Sequence, residues 1–222
     1  MVKRVALSAP ILLLLAGNAL AQQASPPPAP AEVQVTLTTE KGAIVLALDA
    51  AHAPVTTANF LRYVDQRRFD GVVFYRAMRL AWGDQPNGLI QAGTQNDPRR
   101  LLPPIAHEPT DATGIRHKAG TVSMARYAPG TATGDFSILL SDMPGLDADP
   151  NADTPDRRAG FAAFGHVVSG MDTVRAIFAA PVSSTKGEGV MKGQMLEPTI
   201  RVLTARRVPA TVHGAHIDNH AP

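Results

Sequence analysis

The chain contains no cysteine, which excludes disulfides, a thiol nucleophile and any Cys-based zinc site. That absence is neutral about compartment, because a domain of this size buries enough core to fold without covalent staples. Aromatic residues make up 5 % of the chain, and Trp82 is the single tryptophan. A long hydrophobic run is also missing: Ile11 to Ala16 is apolar but falls short of the roughly 20 residues that a membrane span requires. Nor is there an excess of one charge. The chain has 21 basic and 19 acidic residues, and removal of Lys3 and Arg4 with a leader would leave 19 against 19. That balance gives no electrostatic case for nucleic acid or for an anionic membrane surface.

What is present at the start reads as a secretory signal: the basic pair Lys3-Arg4, the short apolar run, and Ala19-Leu20-Ala21 as a small-x-small cleavage pattern. The expected cut follows Ala21, and the expected location is the periplasm. No cysteine follows the run, so a lipid anchor on Cys is excluded. Gln22 to Ala31 is proline-rich and polar, a linker expected to stay extended. The folded domain is expected over 32–208, with 209–222 as a disordered tail.

Val33 to Leu37 and Ile44 to Leu48 alternate apolar and polar residues around Lys41-Gly42, which predicts a β-hairpin. Pro54 opens a helix expected over 54–67, with Val55, Ala58, Leu61 and Val64 at helical spacing. Short strands are expected at 72–75, 89–92, 121–125, 136–140 and 161–168. A second helix is expected at 170–178 and a last strand at 199–208. Many short strands with two isolated helices predict a closed antiparallel barrel, since a parallel sheet would need a helix between most strands. Within the strand around Phe74, strict alternation would put Phe74 and Arg76 on one face.

Four segments carry a resemblance. They are Phe69-Asp70-Gly71-Val72-Val73-Phe74-Tyr75-Arg76, Gly88-Leu89-Ile90-Gln91-Ala92-Gly93, Ala119-Gly120-Thr121-Val122-Ser123-Met124-Ala125-Arg126, and Gly160 to Val167 followed by Gly170-Met171-Asp172. Together and in this order, over roughly 33 to 208, they resemble the cyclophilin family of peptidyl-prolyl isomerases. With the leader, the pattern looks most like the periplasmic bacterial branch. The resemblance implies an eight-stranded barrel capped by two helices, a monomer, no cofactor and no metal. Its partners would be unfolded or flexible polypeptides with X–Pro bonds. It also implies Arg76 and Gln91 as the catalytic pair, and Leu89, Ala125, Arg126, Asp135, Ser137, Leu146 and Phe161 as substrate-binding residues.

Isomerisation needs no covalent chemistry. The barrier of roughly 18–20 kcal/mol comes from amide resonance, and a fixed cationic donor aimed at the proline nitrogen favours the twisted amide over the planar one. An arginine on a strand end is otherwise most often a surface ion-pair partner. Several positions depart from the family pattern. Tyr75 stands for a His, and the segment Leu80 to Asn87 lengthens the Arg76–Gln91 spacing. Gly88 stands near a pocket Phe, whose space Trp82 or Leu89 would fill. Asp135 stands for a Gln, Ser137 for a Phe, Gly145 for a Trp, and Phe161 for a His or Tyr. These changes leave a second reading open, a degenerate cyclophilin that binds peptides as a chaperone or adaptor without turnover.

Other constellations are weaker. Asp147 to Asp153 begins like a calcium loop, yet Ala152 and Arg158 stand where an EF-hand needs Gly and Glu, so a hydrated acidic loop beside the pocket is expected. His107-Glu108 lacks the second His of a zincin. The tail histidines His213, His216 and His220 have no second cluster to complete a metal site. Ser137 and Ser141 lack a nucleophile elbow.

Overall fold

The computed structural model describes residues 32–209. The expected signal segment, the linker and the three tail histidines lie outside the described residues. Eight strands, β1 (Glu32–Thr39), β2 (Gly42–Asp49), β3 (Val73–Arg79), β4 (Gly88–Gly93), β5 (Thr121–Met124), β6 (Phe136–Leu139), β7 (Ala163–Ser169) and β8 (Met195–Arg207), close into a barrel. The order around it is β1-β2-β7-β5-β6-β4-β3-β8, with every pairing antiparallel. Closure leaves no free edge for another chain to pair with.

Among the described residues two helices reach two turns or more, α1 (Pro54–Asp65) and, near the C-terminus, α4 (Met171–Phe178). α1 follows the end of β2 and packs on β2, β7 and β8, while α4 follows the end of β7 and packs on β2, β3 and β4. Because β2 and β7 are antiparallel, the two helices lie at opposite mouths of the barrel. Two single turns, α2 (Thr110–Thr113) and α3 (Pro155–Ala159), sit in the long connections; neither has the length to show a periodic apolar face in the sequence.

α1 has no capping side chain of its own at Ala53. Glu108 supplies one from far along the chain: its carboxylate accepts from the amides of Val55 and Thr56 at 3.0 and 2.7 Å, and from the Thr56 hydroxyl at 2.6 Å. A negative group against free N–H donors at a helix start is favourable both as hydrogen bonds and against the helix dipole. This is the role of Glu108 in the His107-Glu108 pair that the sequence offered as half of a zincin motif, while His107 Nε2 meets Ala159 O at 2.9 Å.

The barrel interior holds most of the scarce aromatic residues. Phe60 and Tyr63 from α1, with Phe69, Phe74, Phe136 and Phe164, are 0–1 % exposed, and their rings meet at centroid distances of 4.8 to 6.2 Å in tilted, edge-on and stacked pairs. Such pairs add roughly 0.5–1.5 kcal/mol each beyond burial.

Three departures from the expected pattern concern β3 and its neighbours. Phe74 and Arg76 do not share a face: the register slips between them, Phe74 facing Ala92 and Arg76 facing Gln91. One bulged residue shifts the alternation, so Phe74 enters the core and Tyr75 and Arg76 both reach the cavity described below. The β3–β4 hairpin is longer than expected, Arg79 facing Gly88 and the Leu80 amide donating to Asn87 O. Finally, β8 begins at Met195 and not at Thr199. Met195 pairs with Arg76 and Ile200 with Phe74, so Pro198 lies in a stretch without β3 partners, where its missing donor costs no ladder bond.

Candidate functional site

Strand register builds a transverse row. Met195 on β8, Arg76 on β3, Gln91 on β4, Ser137 on β6 and Ser123 on β5 stand opposite one another in turn. Their neighbours Ile90, Ile138 and Val122 are fully buried in the core. Alternation therefore turns Gln91, Ser137 and Ser123 to the outer face of the wall, where they line a cavity of about 550 Å³.

Arg76 is held by two neutral amides. Its Nε donates to Gln194 Oε1 at 2.8 Å and its Nη1 to Gln91 Oε1 at 3.0 Å. Gln194 is itself tied down, its Nε2 donating to Val190 O at 2.8 Å. Among the described residues no carboxylate lies within ion-pair distance of Arg76, so the guanidinium is oriented without being neutralised. Burial lowers its pKa from the ordinary value, yet an arginine keeps its charge throughout the accessible range. Because Gln91 spends its oxygen on Arg76, its amide NH₂ is left to face the cavity.

The cavity brings together all nine residues expected at the site: Arg76, Gln91, Leu89, Ala125, Arg126, Asp135, Ser137, Leu146 and Phe161. Of the two candidates to fill the space near Gly88, Leu89 lines the cavity, while Trp82 stands apart at 67 % exposure. Gly88 admits no side chain at all, since a Cβ there would overlap the Met78 carbonyl. Gly145, where the resemblance puts a Trp, has open space around its Cβ position.

Arg126 differs in kind from Arg76. Its side chain is 3 % exposed, and all five of its donor hydrogens are engaged, by Gly160 O twice, Tyr127 O, Asp156 O and Asp156 Oδ1. The guanidinium carbon lies 4.7 Å from the Phe161 ring centroid. Arg126 is thus a wall residue that fixes Phe161, with no donor left for a ligand.

Asp135 lies under the cavity's other end. Its Oδ1 accepts from the Gln95 amide at 2.9 Å and the Thr94 hydroxyl at 3.3 Å, and its Oδ2 from the Tyr75 hydroxyl at 3.2 Å. Burial pushes the carboxyl up, against these donors, which favour its charged form. Burial next to this carboxylate also pushes the Tyr75 hydroxyl up.

Behind Ser123 runs a buried chain. The Ser123 hydroxyl and His117 Nε2 are 2.8 Å apart, and His117 Nδ1 meets Asp147 Oδ1 at 2.7 Å. With Asp147 as acceptor, Nδ1 carries the proton and Nε2 accepts from Ser123. Desolvation lowers the His117 pKa, which the Asp147 bond opposes. Asp147, first residue of the supposed calcium loop, is therefore occupied in bracing β5.

Several cavity residues escaped sequence reasoning: Tyr75, Met78, Met124, Tyr127, Val190, Met191 and Met195, with Gln194 behind them. Val190, Met191 and Gln194 lie in an irregular segment that includes a single 3₁₀ turn, Gly189–Met191, where no periodicity marks a face, and Met195 opens β8. The Phe at position 161 is the only phenylalanine lining the cavity, and its apolar wall is otherwise mostly Leu and Met.

Residues 34–205 match the family described as cyclophilin type peptidyl-prolyl cis-trans isomerase/CLD. The chain is 35 % identical over 147 residues to the peptidyl-prolyl cis-trans isomerase A of Dickeya dadantii, covering 64 % of this chain and 70 % of that protein. It is 36 % identical over 157 residues to an isomerase of Streptomyces antibioticus, covering 69 % and 87 %. With an Acinetobacter baylyi isomerase the identity is 33 % over 190 residues, covering 83 % and 86 %. The crystal structure of a cyclophilin type isomerase from Cryptosporidium parvum superposes with a TM-score of 0.61 at 18 % identity, covering 80 % of this chain and 98 % of that one. A barrel matched along its length, and bacterial isomerases matched over most of theirs, establish that the chain belongs to the cyclophilin-type peptidyl-prolyl cis-trans isomerases.

Proposed function

We propose that the enzyme is exported, is cleaved after Ala21, and isomerises X–Pro bonds in unfolded or flexible polypeptides in the periplasm, with Arg76 stabilising the twisted amide. The observation that carries the Arg76 role is its double amide anchorage without a countercharge. In the planar ground state the proline nitrogen shares its lone pair with the carbonyl and is a poor acceptor. In the twisted state the lone pair returns, and a cationic donor already in place binds that state more strongly. A carboxylate partner would have weakened the field at the nitrogen; the neutral oxygens of Gln91 and Gln194 orient the group and leave the charge intact. The free NH₂ of Gln91 is placed to hold a substrate carbonyl, and the Leu89, Leu146, Phe161, Met191 and Met195 side chains offer an apolar surface to the proline ring.

Arg76→Ala tests the mechanism. Loss of one transition-state donor of roughly 2.7–4 kcal/mol lowers kcat/KM by about a hundred- to a thousandfold, and Arg76→Lys restores little because an ammonium lacks the rigid fork. Peptide affinity should fall far less than rate. Equal activity in Arg76→Ala refutes the role. For processing, mass spectrometry of the periplasmic fraction should find a soluble chain beginning at Gln22; an intact Met1 in the membrane pellet would refute export with cleavage.

A further inference from the structure

The cavity is polar at one end, and the strand registers say which. From the row Arg76–Gln91–Ser137–Ser123, β4 and β5 run out toward Gln95 and Tyr127, while the segment Thr131 to Asp135 leads into β6. Tyr75, Gln95, Asn96, Tyr127, Thr131, Thr133 and Asp135 line that end, whereas Met78 and Leu89 lie on the other side of the row.

Among the described residues Asp135 is the one carboxylate lining the cavity. Asp147 and Asp156, close by in the fold, have cationic or imidazole partners. Among the described residues Asp135 has none within ion-pair distance, only neutral donors from Tyr75, Thr94 and Gln95. Arg76 is committed to Gln91 and Gln194, and Arg126 has spent every donor on the wall. Its Oδ2 has the Tyr75 hydroxyl as its hydrogen-bond partner, and a carboxylate oxygen can accept more than one donor. The backbone is shaped around this group: Gly93 has φ +143°, and a Cβ there would overlap Asp135. Tyr75 and Tyr127 line the same end, and aromatic rings near a carboxylate suit a cation.

We infer that the polar end of the cavity is a subsite for a cationic side chain, lysine or arginine, of the substrate polypeptide, with Asp135 as its counterion and the two tyrosines as its walls. This subsite rests on the peptide-isomerase reading of the cavity. Asp135 precedes Ser137 by two residues, about 7 Å along an extended strand. The cation it selects is therefore carried within three residues of the proline. An acidic side chain there meets a like charge, and an aliphatic one desolvates the carboxylate without replacing its partner.

The test is a peptide series with one X–Pro bond. Lysine, norleucine or glutamate is placed in turn at each of the three positions before the proline and the two after it. kcat/KM and, by calorimetry, Kd are measured for the wild type and Asp135→Asn. At one position the wild type should prefer lysine over norleucine by about tenfold, the worth of one charge-assisted bond, and should discriminate against glutamate. The lysine preference should shrink in high salt and collapse to about one in Asp135→Asn. A lysine-to-norleucine ratio near one at every position in the wild type overturns the subsite, as does a ratio that survives Asp135→Asn in protein whose circular dichroism shows it folded. Should that variant not fold, the wild-type ratio and its salt dependence decide alone. If the wild type isomerises none of the peptides, the catalytic reading falls, while the affinity ratio still decides whether the cation subsite exists.

Discussion

Arg76 and Gln194 are 118 residues apart in the chain, and their side chains are joined by a 2.8 Å hydrogen bond from Nε to Oε1. Gln91 holds the opposite side of the same guanidinium. Gln194→Ala should leave the barrel folded and let Arg76 swing on a single anchor. A misplacement of about 1 Å can cost on the order of a hundredfold in rate, so kcat should fall by about ten- to a hundredfold with KM little changed. Gln194→Glu keeps the acceptor but puts a countercharge on Arg76, and should be at least as slow. If both variants match the wild type in kcat, Gln194 does not position the arginine.

The hairpin tip between Leu80 and Asn87 should be dispensable for turnover. Arg76 and Gln91 are paired several residues below it, and Trp82 within it is mostly exposed and outside the cavity. Replacing residues 81–86 by a two-residue Asn-Gly turn, which suits a tight hairpin, should keep kcat/KM within about threefold, a shift of less than 1 kcal/mol. A loss comparable to that expected of Arg76→Ala would show that the tip belongs to the site.

Stability should depend on pH through His117. Its folded pKa lies below the ordinary 6.5 because the ring is buried, so below 6.5 the unfolded chain binds the proton that the folded chain resists. Stability is then full above 6.5 and falls as pH drops from there toward the lowered folded value. Asp65 and Asp70, held below the ordinary 3.8 by Arg207 and Arg206, lose their contribution only in a separate, more acidic window. Urea midpoints taken between pH 7.5 and 5 should decline for the wild type and stay level for His117→Asn. A level wild-type profile would contradict the lowered pKa.

Glu108→Ala should destabilise the fold through α1. It removes the acceptor of the Val55 and Thr56 amides, and the loss of a helix cap costs about 1–2 kcal/mol. Chemical denaturation reads the difference directly. Because the cap lies on α1, away from the row of Arg76 and Gln91, kcat/KM at low temperature should stay close to that of the wild type.

Much of the fold was written locally. Alternation marked the β1–β2 hairpin, since a strand with one buried face repeats its apolar residues at period 2. Pro54 marked the start of α1, but of the apolar series read there only Leu61 and Val64 are buried; Val55 and Ala58 are exposed, and Thr56, Thr57, Asn59, Phe60 and Tyr63 complete the buried face. The four motif segments located Arg76 and Gln91, and all nine named site residues meet in one cavity. Other features were decided only by the closed barrel. The bulge after Phe74 separated that ring from Arg76, because a register slip depends on the partner strand and leaves no periodic trace. Glu108 became a cap, Asp147 a brace for His117, and Gln194 an anchor through contacts spanning dozens to over a hundred residues. Arg76 and Arg126 are the same residue type in the sequence. One keeps free donors and the other has none, because hydrogen-bond saturation is set by which acceptors the folded chain brings within about 3 Å.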